Sequence, residues 1–503
     1  MPTRSTITPG PDGGVRDAMT LILAFLALRL VVSLFFPATI DEAYAIAVSR
    51  DWSLSYYDHP PLGFTIAQAM AWLTGSTNIF VIRLPFILAG AASSWLVWDI
   101  TRLAYGQRAA YWALGWFCVA PFFFISSGHF VVPDGPLNLA LLATLRLVLP
   151  DLLSPDKGLR VARWLAAGFC FAVALASKYQ AVLFGASALL FLLTSPPHRR
   201  LLLSPVMWMT LVVGALGLMP MVAWNAAQDW ISFGFQAGRA TDEGTHLHPA
   251  NFIVTILGQI VYLLPGTWAV MMWMSVRGIL RPTPAADRIF GWFVVVPVAI
   301  FLAIALNSTN SLPHWAMSGF VFGFPLVGRW CEAMYEKYRR WIDLAWRASV
   351  VSIPLLALGV GLQASHAVFT RPFFDAAPKQ DLNWQMQHWS VLADRWEELG
   401  APNAVVTVNW MTGAKAGHAL GPGVAILPLD DPRHFQFLER LEHASAIAVH
   451  PSDVGDSTAV IAEMLRLLEA GDYRTTGEPQ VFRQMSGTHP RFEIVVIPVE
   501  PES

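Results

Sequence analysis

The chain has 503 residues, of which 55% are hydrophobic and only 14% charged, and its mean hydropathy is +0.48. That composition excludes a soluble globular protein and predicts a polytopic helical membrane protein. The net charge of −2 is uninformative about partners, no basic run interleaved with aromatics suggests nucleic acid, and the three cysteines lie in or beside apolar segments, which excludes a disulfide framework or a thiolate metal site.

In chain order, residues 1–17 are Pro/Gly-rich and carry Arg4 and Arg16, as a cytoplasmic amino-terminal segment does. About 20 apolar residues cross a bilayer. Windows of this kind fall at 18–36, 80–101, 109–127, 135–150, 162–177, 180–194, 203–223, 252–275, 289–306, 313–330 and 348–366, which predicts about 11 transmembrane helices. The first window has no small-residue cleavage site behind it and reads as an uncleaved anchor. Lys and Arg gather on cytoplasmic connections. Here every second connection is basic: Arg102 and Arg108, then Arg146 to Arg163, Arg199 and Arg200, Arg277 to Arg288, and Arg329 to Arg347. The amino terminus is therefore expected in the cytoplasm of an inner-membrane protein, and an odd number of spans puts the carboxyl-terminal part outside.

Within the membrane region, 18–366, two outer loops are long. Loop 37–79 contains an amphipathic segment, 61–73, suited to lying in the interface. Loop 224–251 holds Trp224, Trp230, Phe233, Phe235, Arg239, His246 and His248. Residues 367–503 are expected to form a small soluble α/β domain on the extracytoplasmic side. A linker around Lys379-Gln380-Asp381 leads to a helical face of Leu382, Trp389, Leu392 and Trp396. Strands are predicted at 404–408, 446–449 and 492–499, and a helix at 458–470.

The ionisable residues collect on the outer face. Asp41-Glu42 ends the first span, and Asp58-His59 precedes Pro60-Pro61, which keeps His59 extended. His129 and Asp134 precede the fourth span, Lys178 sits between two apolar runs, and His314 follows Leu312-Pro313. Each has a plain structural reading. Asp41-Glu42 is a polar helix boundary, Asp134 a helix N-cap, Lys178 a snorkelling lysine, and Arg29, inside the first span, a partner for an outer carboxylate. Charged groups beside a bilayer are costly, however, and a cluster on one face reads as a reaction site.

Taken in order, Asp41-Glu42-Ala43-Tyr44, Tyr56-Tyr57-Asp58-His59-Pro60-Pro61-Leu62, Arg83-Leu84-Pro85, Pro133-Asp134 and Ser177-Lys178-Tyr179 resemble the motifs of bacterial protein-mannosyltransferase-like glycosyltransferases. These belong to the GT-C superfamily, with protein O-mannosyltransferases and lipid A aminoarabinose transferases as relatives. The resemblance spans about residues 18–330. It implies a membrane glycosyltransferase that moves a sugar from a polyprenyl-phosphate carrier to a cell-envelope acceptor, with inversion, outside the cytoplasm. By carry-over, Asp41 is the base or its electrostatic partner, with Glu42 beside it, and Asp134 is a second acid. Asp58, His59, Arg83, Lys178, Arg239 and His314 are the candidate substrate-binding residues, and Lys178, Arg239 or Arg83 would compensate the carrier phosphate. A divalent cation (Mg, Mn or Zn) is the alternative compensating charge, with Asp58, His246 and His248 as candidate ligands. No organic cofactor is implied. The sequence departs from the pattern at His59, where the aminoarabinose transferases carry Lys, and at Ala45, where many relatives carry an aromatic. The competing functional reading is a transporter or flippase for a lipid-linked sugar, which would place ionisable groups at mid-membrane in repeated halves. A non-catalytic scaffold leaves Asp41, Asp58 and Asp134 unexplained.

Overall fold

The computed structural model describes residues 14–240, 246–281, 284–378, 384–435 and 446–502. Arg4 and the linker residues 379–383, including Leu382, lie outside these. The helices are α1 (Val15–Ser33), α2 (Ile40–Val48), α3 (Leu62–Thr74), α4 (Ile79–Tyr105), α5 (Gln107–Val119), α6 (Asp134–Leu153), α7 (Val161–Ser177), α8 (Val182–Thr194), α9 (Pro205–Ala215) and α10 (Met219–Ala227). They continue as α11 (Ile231–Ala240), α12 (Pro249–Leu263), α13 (Pro265–Leu280), α14 (Ala285–Asn307), α15 (Met317–Phe320), α16 (Phe324–His366), α17 (Ser390–Asp394), α18 (Trp410–Leu420) and α19 (Ser457–Ala470).

The chain divides into two compact units whose limits cut across the domains read from sequence. The first comprises Met1–Leu30, Leu54–Leu62 and Pro85–Leu355; the second comprises Val31–Ser53, Gly63–Leu84 and Leu356–Ser503. The helix α2 and most of the first long loop thus group with the carboxyl-terminal residues.

The first unit is a helical membrane body. Among the described residues, five helical segments are long and apolar enough to cross a bilayer, or seven if two bent pairs each make one span. The number is lower than the eleven apolar windows for local reasons. The helix α1 carries Arg16, Asp17 and Arg29, α5 has 13 residues and α7 has 17. The helices α12 and α13 share one window but bend by 108°, where Leu264 takes φ +69° and Pro265 starts a new helix. The last two windows fall in one continuous segment: α16 covers the polar stretch between them as two helices that meet at a kink at Tyr338, where φ −118° and ψ 22° leave the helical region.

The second unit contains the expected α/β domain, a six-stranded mixed sheet. Its strands are β1 (Ala404–Thr407), β2 (Ala425–Pro428), β3 (Ala446–Ser452), β4 (Tyr473–Thr475), β5 (Gln480–Ser486) and β6 (His489–Pro501), in the order β2-β1-β3-β6-β4, with β5 also on β6. The parallel pairs β1/β2 and β1/β3 need crossovers, and α18 supplies the first. The inner faces of Val406, Ala448, Val495 and Ile497 pack on Met464 and Leu468 of α19, where the apolar spacing of 458–470 predicts a helix. The expected helix near 381–399 is limited, in its described part, to a turn at Trp384–Met386 and the short α17.

Candidate active site

In the second unit, α2 is built by its first residues. Thr39 caps the helix and Glu42 closes a reciprocal capping box with it. Asp41 stands in the first turn, exposed, where the helix dipole favours a carboxylate. The neighbouring Glu42 points the other way and is fully buried. Arg83 of α4 meets it through Nε at 2.7 Å and Nη2 at 2.6 Å. The same guanidinium donates to the carbonyls of Pro37 at 3.0 Å, Phe36 at 2.7 Å and Ser33 at 3.3 Å. A guanidinium has five N–H donors, and these bonds engage all of them. Arg83 therefore has no donor left for a carrier phosphate, and Glu42 has no face open to a substrate. Their expected substrate-binding and catalytic roles give way to a structural one. Arg83→Met is expected to destabilise the protein by about 3–5 kcal/mol, because it strands a buried carboxylate; an unchanged Tm would refute this.

Arg29 also departs from expectation. Its guanidinium donates to the carbonyls of Phe123 at 3.2 Å and Phe124 at 3.3 Å, in the π-helical turn Phe122–Ser126. The wider turn shifts the ladder and frees carbonyls for a side-chain donor, so these, rather than a carboxylate, take the arginine.

In the first unit, the loop before α3 is held by α11. Ser232 Oγ donates to the Tyr56 carbonyl at 2.8 Å and Gln236 Nε2 to the Asp58 carbonyl at 2.6 Å. The rings of Tyr57 and Phe235 lie 4.6 Å apart. Asp58 is buried, with its Oδ2 2.7 Å from His59 Nδ1. Asp134 is the first residue of α6, with Pro133 at the cap position making no side-chain bond. Its carboxylate accepts from Lys178 Nζ at 2.8 and 3.0 Å instead. Lys178 is the C-cap of α7, so anion and cation each occupy the helix end whose dipole suits them. The Asp134 side chain is 6% exposed and that of Lys178 12%, so the pair is drawn out of water.

His314, in a turn at Pro313–Ala316, stacks on Phe122 and lies within electrostatic reach of Lys178, Asp134, Arg239 and His59. Arg239 spreads its guanidinium over Trp315 at 4.9 Å and Phe235 at 5.4 Å. Asp58, His59, Asp134, Lys178, Arg239 and His314, far apart in sequence, thus form one charged cluster. Sequence reading missed Ser232 and Gln236, ordinary polar residues of α11. It also missed Tyr179, whose ring lies 5.5 Å from that of Phe233 of α11. Its adjacency to Lys178 was the available signal.

Of the expected cation ligands, His246 is exposed, and His248 precedes α12 with its backbone N–H on the Leu306 carbonyl. Among the described residues no three His, Cys, Asp or Glu side chains come together as cation ligands.

The chain thus carries a helical membrane body with a charged cluster at helix ends, and a mixed-sheet domain. Residues 58–224, which hold five of the expected site residues, match the family of dolichyl-phosphate-mannose-protein mannosyltransferases. The lipid A galacturonosyltransferase RgtD of Rhizobium johnstonii is 25% identical over 345 residues, which is 65% of this chain and 66% of that protein. ArnT from Cupriavidus metallidurans, solved with undecaprenyl phosphate, superposes with a TM-score of 0.60 at 15% identity, over 96% of this chain and 98% of that one. The archaeal oligosaccharyltransferase AglB from Archaeoglobus fulgidus gives 0.50 at 10% identity, over 90% and 71%. The chain thus has an ArnT-like fold and, over residues 58–224, is similar to the dolichyl-phosphate-mannose-protein mannosyltransferase family.

Proposed function

We propose that the protein transfers a sugar from a polyprenyl-phosphate carrier to lipid A or a closely related envelope lipid, on the extracytoplasmic face and with inversion. The observation that carries this reading is the buried Asp134–Lys178 pair in a cluster with His314, Arg239, His59 and Asp58. An ammonium has three donors; the carboxylate takes two, and the third is available to a phosphate oxygen. The relatives support the choice of substrates: ArnT is seen with undecaprenyl phosphate, and RgtD is named for lipid A.

In the reaction, the acceptor hydroxyl attacks the anomeric carbon as the bond to the carrier phosphate breaks. Asp41 takes the hydroxyl proton, and the carrier leaves as polyprenyl phosphate. Negative charge grows on the departing phosphate, and Lys178 with Arg239 stabilises it.

Undecaprenyl-phosphate derivatives of mannose, galacturonic acid and aminoarabinose, offered with lipid A to the purified protein, test the reading. Labelled lipid A from one of them is the expected result, and turnover of none would overturn it. Topology has a separate test. A cysteine placed at Ser55 or Ser457 is expected to react with an impermeant reagent in intact cells, and one at Ser154 is expected to be protected; labelling at Ser154 would reverse the orientation.

A further inference from the structure

The second unit groups α2, the helix that presents Asp41, with the carboxyl-terminal domain, and side chains of that domain hold α2 along its length. At its leading end, Lys415 of α18 donates from Nζ to the Ala38 carbonyl at 2.8 Å, three residues before Asp41. In the middle, the Tyr44 ring sits among Phe64, Trp410, His434 and Phe435, with centroids 5.4 to 5.9 Å away. Further on, a Cβ added at Gly417 would stand 3.1 Å from the Ala47 Cβ, a close approach of the two helices at which a side chain would press them apart. At the trailing end, Arg50 donates to the carbonyls of Gly417 and Val424.

Lys415 is the costly member of this set. It is 2% exposed, and an ammonium is rarely buried so deeply without a purpose. The groups around it are Glu42 of α2, Arg83 of α4, His388 and His418. The carboxylate of Glu42 is already matched by Arg83, so Lys415 is not needed to neutralise it. What its ammonium does contact is the backbone leading into α2.

We propose that Lys415 is a positioning residue for Asp41: the carboxyl-terminal domain reaches across with this side chain to fix the start of α2, and so the direction in which the Asp41 carboxylate faces the acceptor hydroxyl. This rests on Asp41 being the base. It gives the carboxyl-terminal domain a part in transfer that its fold alone does not suggest, since a displacement of about 1 Å at a reacting group costs up to about 10²-fold in rate.

Burial also pushes the Lys415 ammonium down to about 7, Glu42 opposing and Arg83 reinforcing the shift. In the unfolded chain a lysine titrates near 10.4. The unfolded state therefore binds more protons between about pH 7 and pH 10, and Lys415 makes stability rise with pH across that window. Lys415→Met is expected to flatten this rise, which reports that the buried amine has been removed from a folded protein.

The test uses the full-length protein in lipid nanodiscs, with the donor that gives product in the panel above and with undecaprenyl phosphate as the binding probe. Lys415→Met is expected to lower kcat by about 10²-fold while leaving the affinity for undecaprenyl phosphate within twofold of wild type. Gly417→Ala, which wedges α18 from α2 and keeps the lysine, should give a smaller loss of the same kind. The decisive measurement is the double variant. If Lys415 acts through Asp41, Asp41→Asn with Lys415→Met is no slower than Asp41→Asn alone. Multiplying losses would overturn the proposal, as would a folded Lys415→Met or Gly417→Ala protein with wild-type kcat. Should Asp41→Asn itself be fully active, the assignment of the base falls, a result distinguishable from failure of the positioning role.

Discussion

Asp41→Asn is expected to lower sugar transfer by roughly 10²–10⁴-fold, the range a positioned general base contributes, and to leave the protein folded. The two halves of that expectation have separate grounds. Asp41 is exposed in the first turn of α2 and takes no part in the capping box, which belongs to Thr39 and Glu42. Loss of its charge removes a helix-dipole contribution of about 0.3–1 kcal/mol and leaves the capping box intact. The adjacent carboxylate provides the control. Glu42→Gln should unfold the protein far more readily, because Glu42 is locked against Arg83 in a buried ion pair. Two neighbouring acids thus have opposite signatures, one seen in kcat at constant Tm and the other in Tm itself. Transfer by Asp41→Asn at the wild-type rate would remove it from the mechanism.

That contrast also marks the limit of what the sequence carries. The apolar windows locate the helices well, because burial in lipid leaves a long uninterrupted signal. The α/β domain is legible from three short apolar runs, each of which is a strand or part of one, and from the periodicity at 458–470. Motif order collects Asp58, His59, Asp134 and Lys178 as candidates. Pairings are another matter. Glu42 and Arg83 are 41 residues apart, and nothing local says that one acid of Asp41-Glu42 is buried and the other is not. One clue lay in plain view: Thr39-x-x-Glu42 is a capping-box spacing, and it assigns Glu42 to the helix terminus. Lys415 has no such clue. It lies in a helix of small residues, and its contact with Ala38 spans 377 positions. The fusion of the last two windows into α16 escaped for the reverse reason. A polar stretch between two apolar windows reads as a connection, yet its residues form helix on both sides of the kink at Tyr338.

Lys178→Met is expected to weaken donor binding, with the donor KM rising about 10- to 100-fold, as loss of a charge-assisted hydrogen bond worth about 1.5–3 kcal/mol implies. Lys178→Arg should keep part of the affinity, since it keeps the charge but not the compact geometry of an ammonium. A fall in kcat as well would show that the contact strengthens as charge builds on the leaving phosphate. Asp134→Asn acts through the same pair. It leaves the ammonium 12% exposed without its carboxylate, free to turn from the position that the two Asp134 oxygens impose. Its effect should therefore resemble that of Lys178→Met, and the double variant should be little worse than either single one. A structural salt bridge predicts otherwise: each single change would lower the Tm by stranding a buried charge, the double change would restore much of it, and donor KM would stay at its wild-type value throughout. Donor KM and Tm measured on the same four proteins decide between the two. Unchanged donor kinetics in Lys178→Met would leave the carrier phosphate to Arg239, whose guanidinium the rings of Phe235 and Trp315 already hold in the cluster.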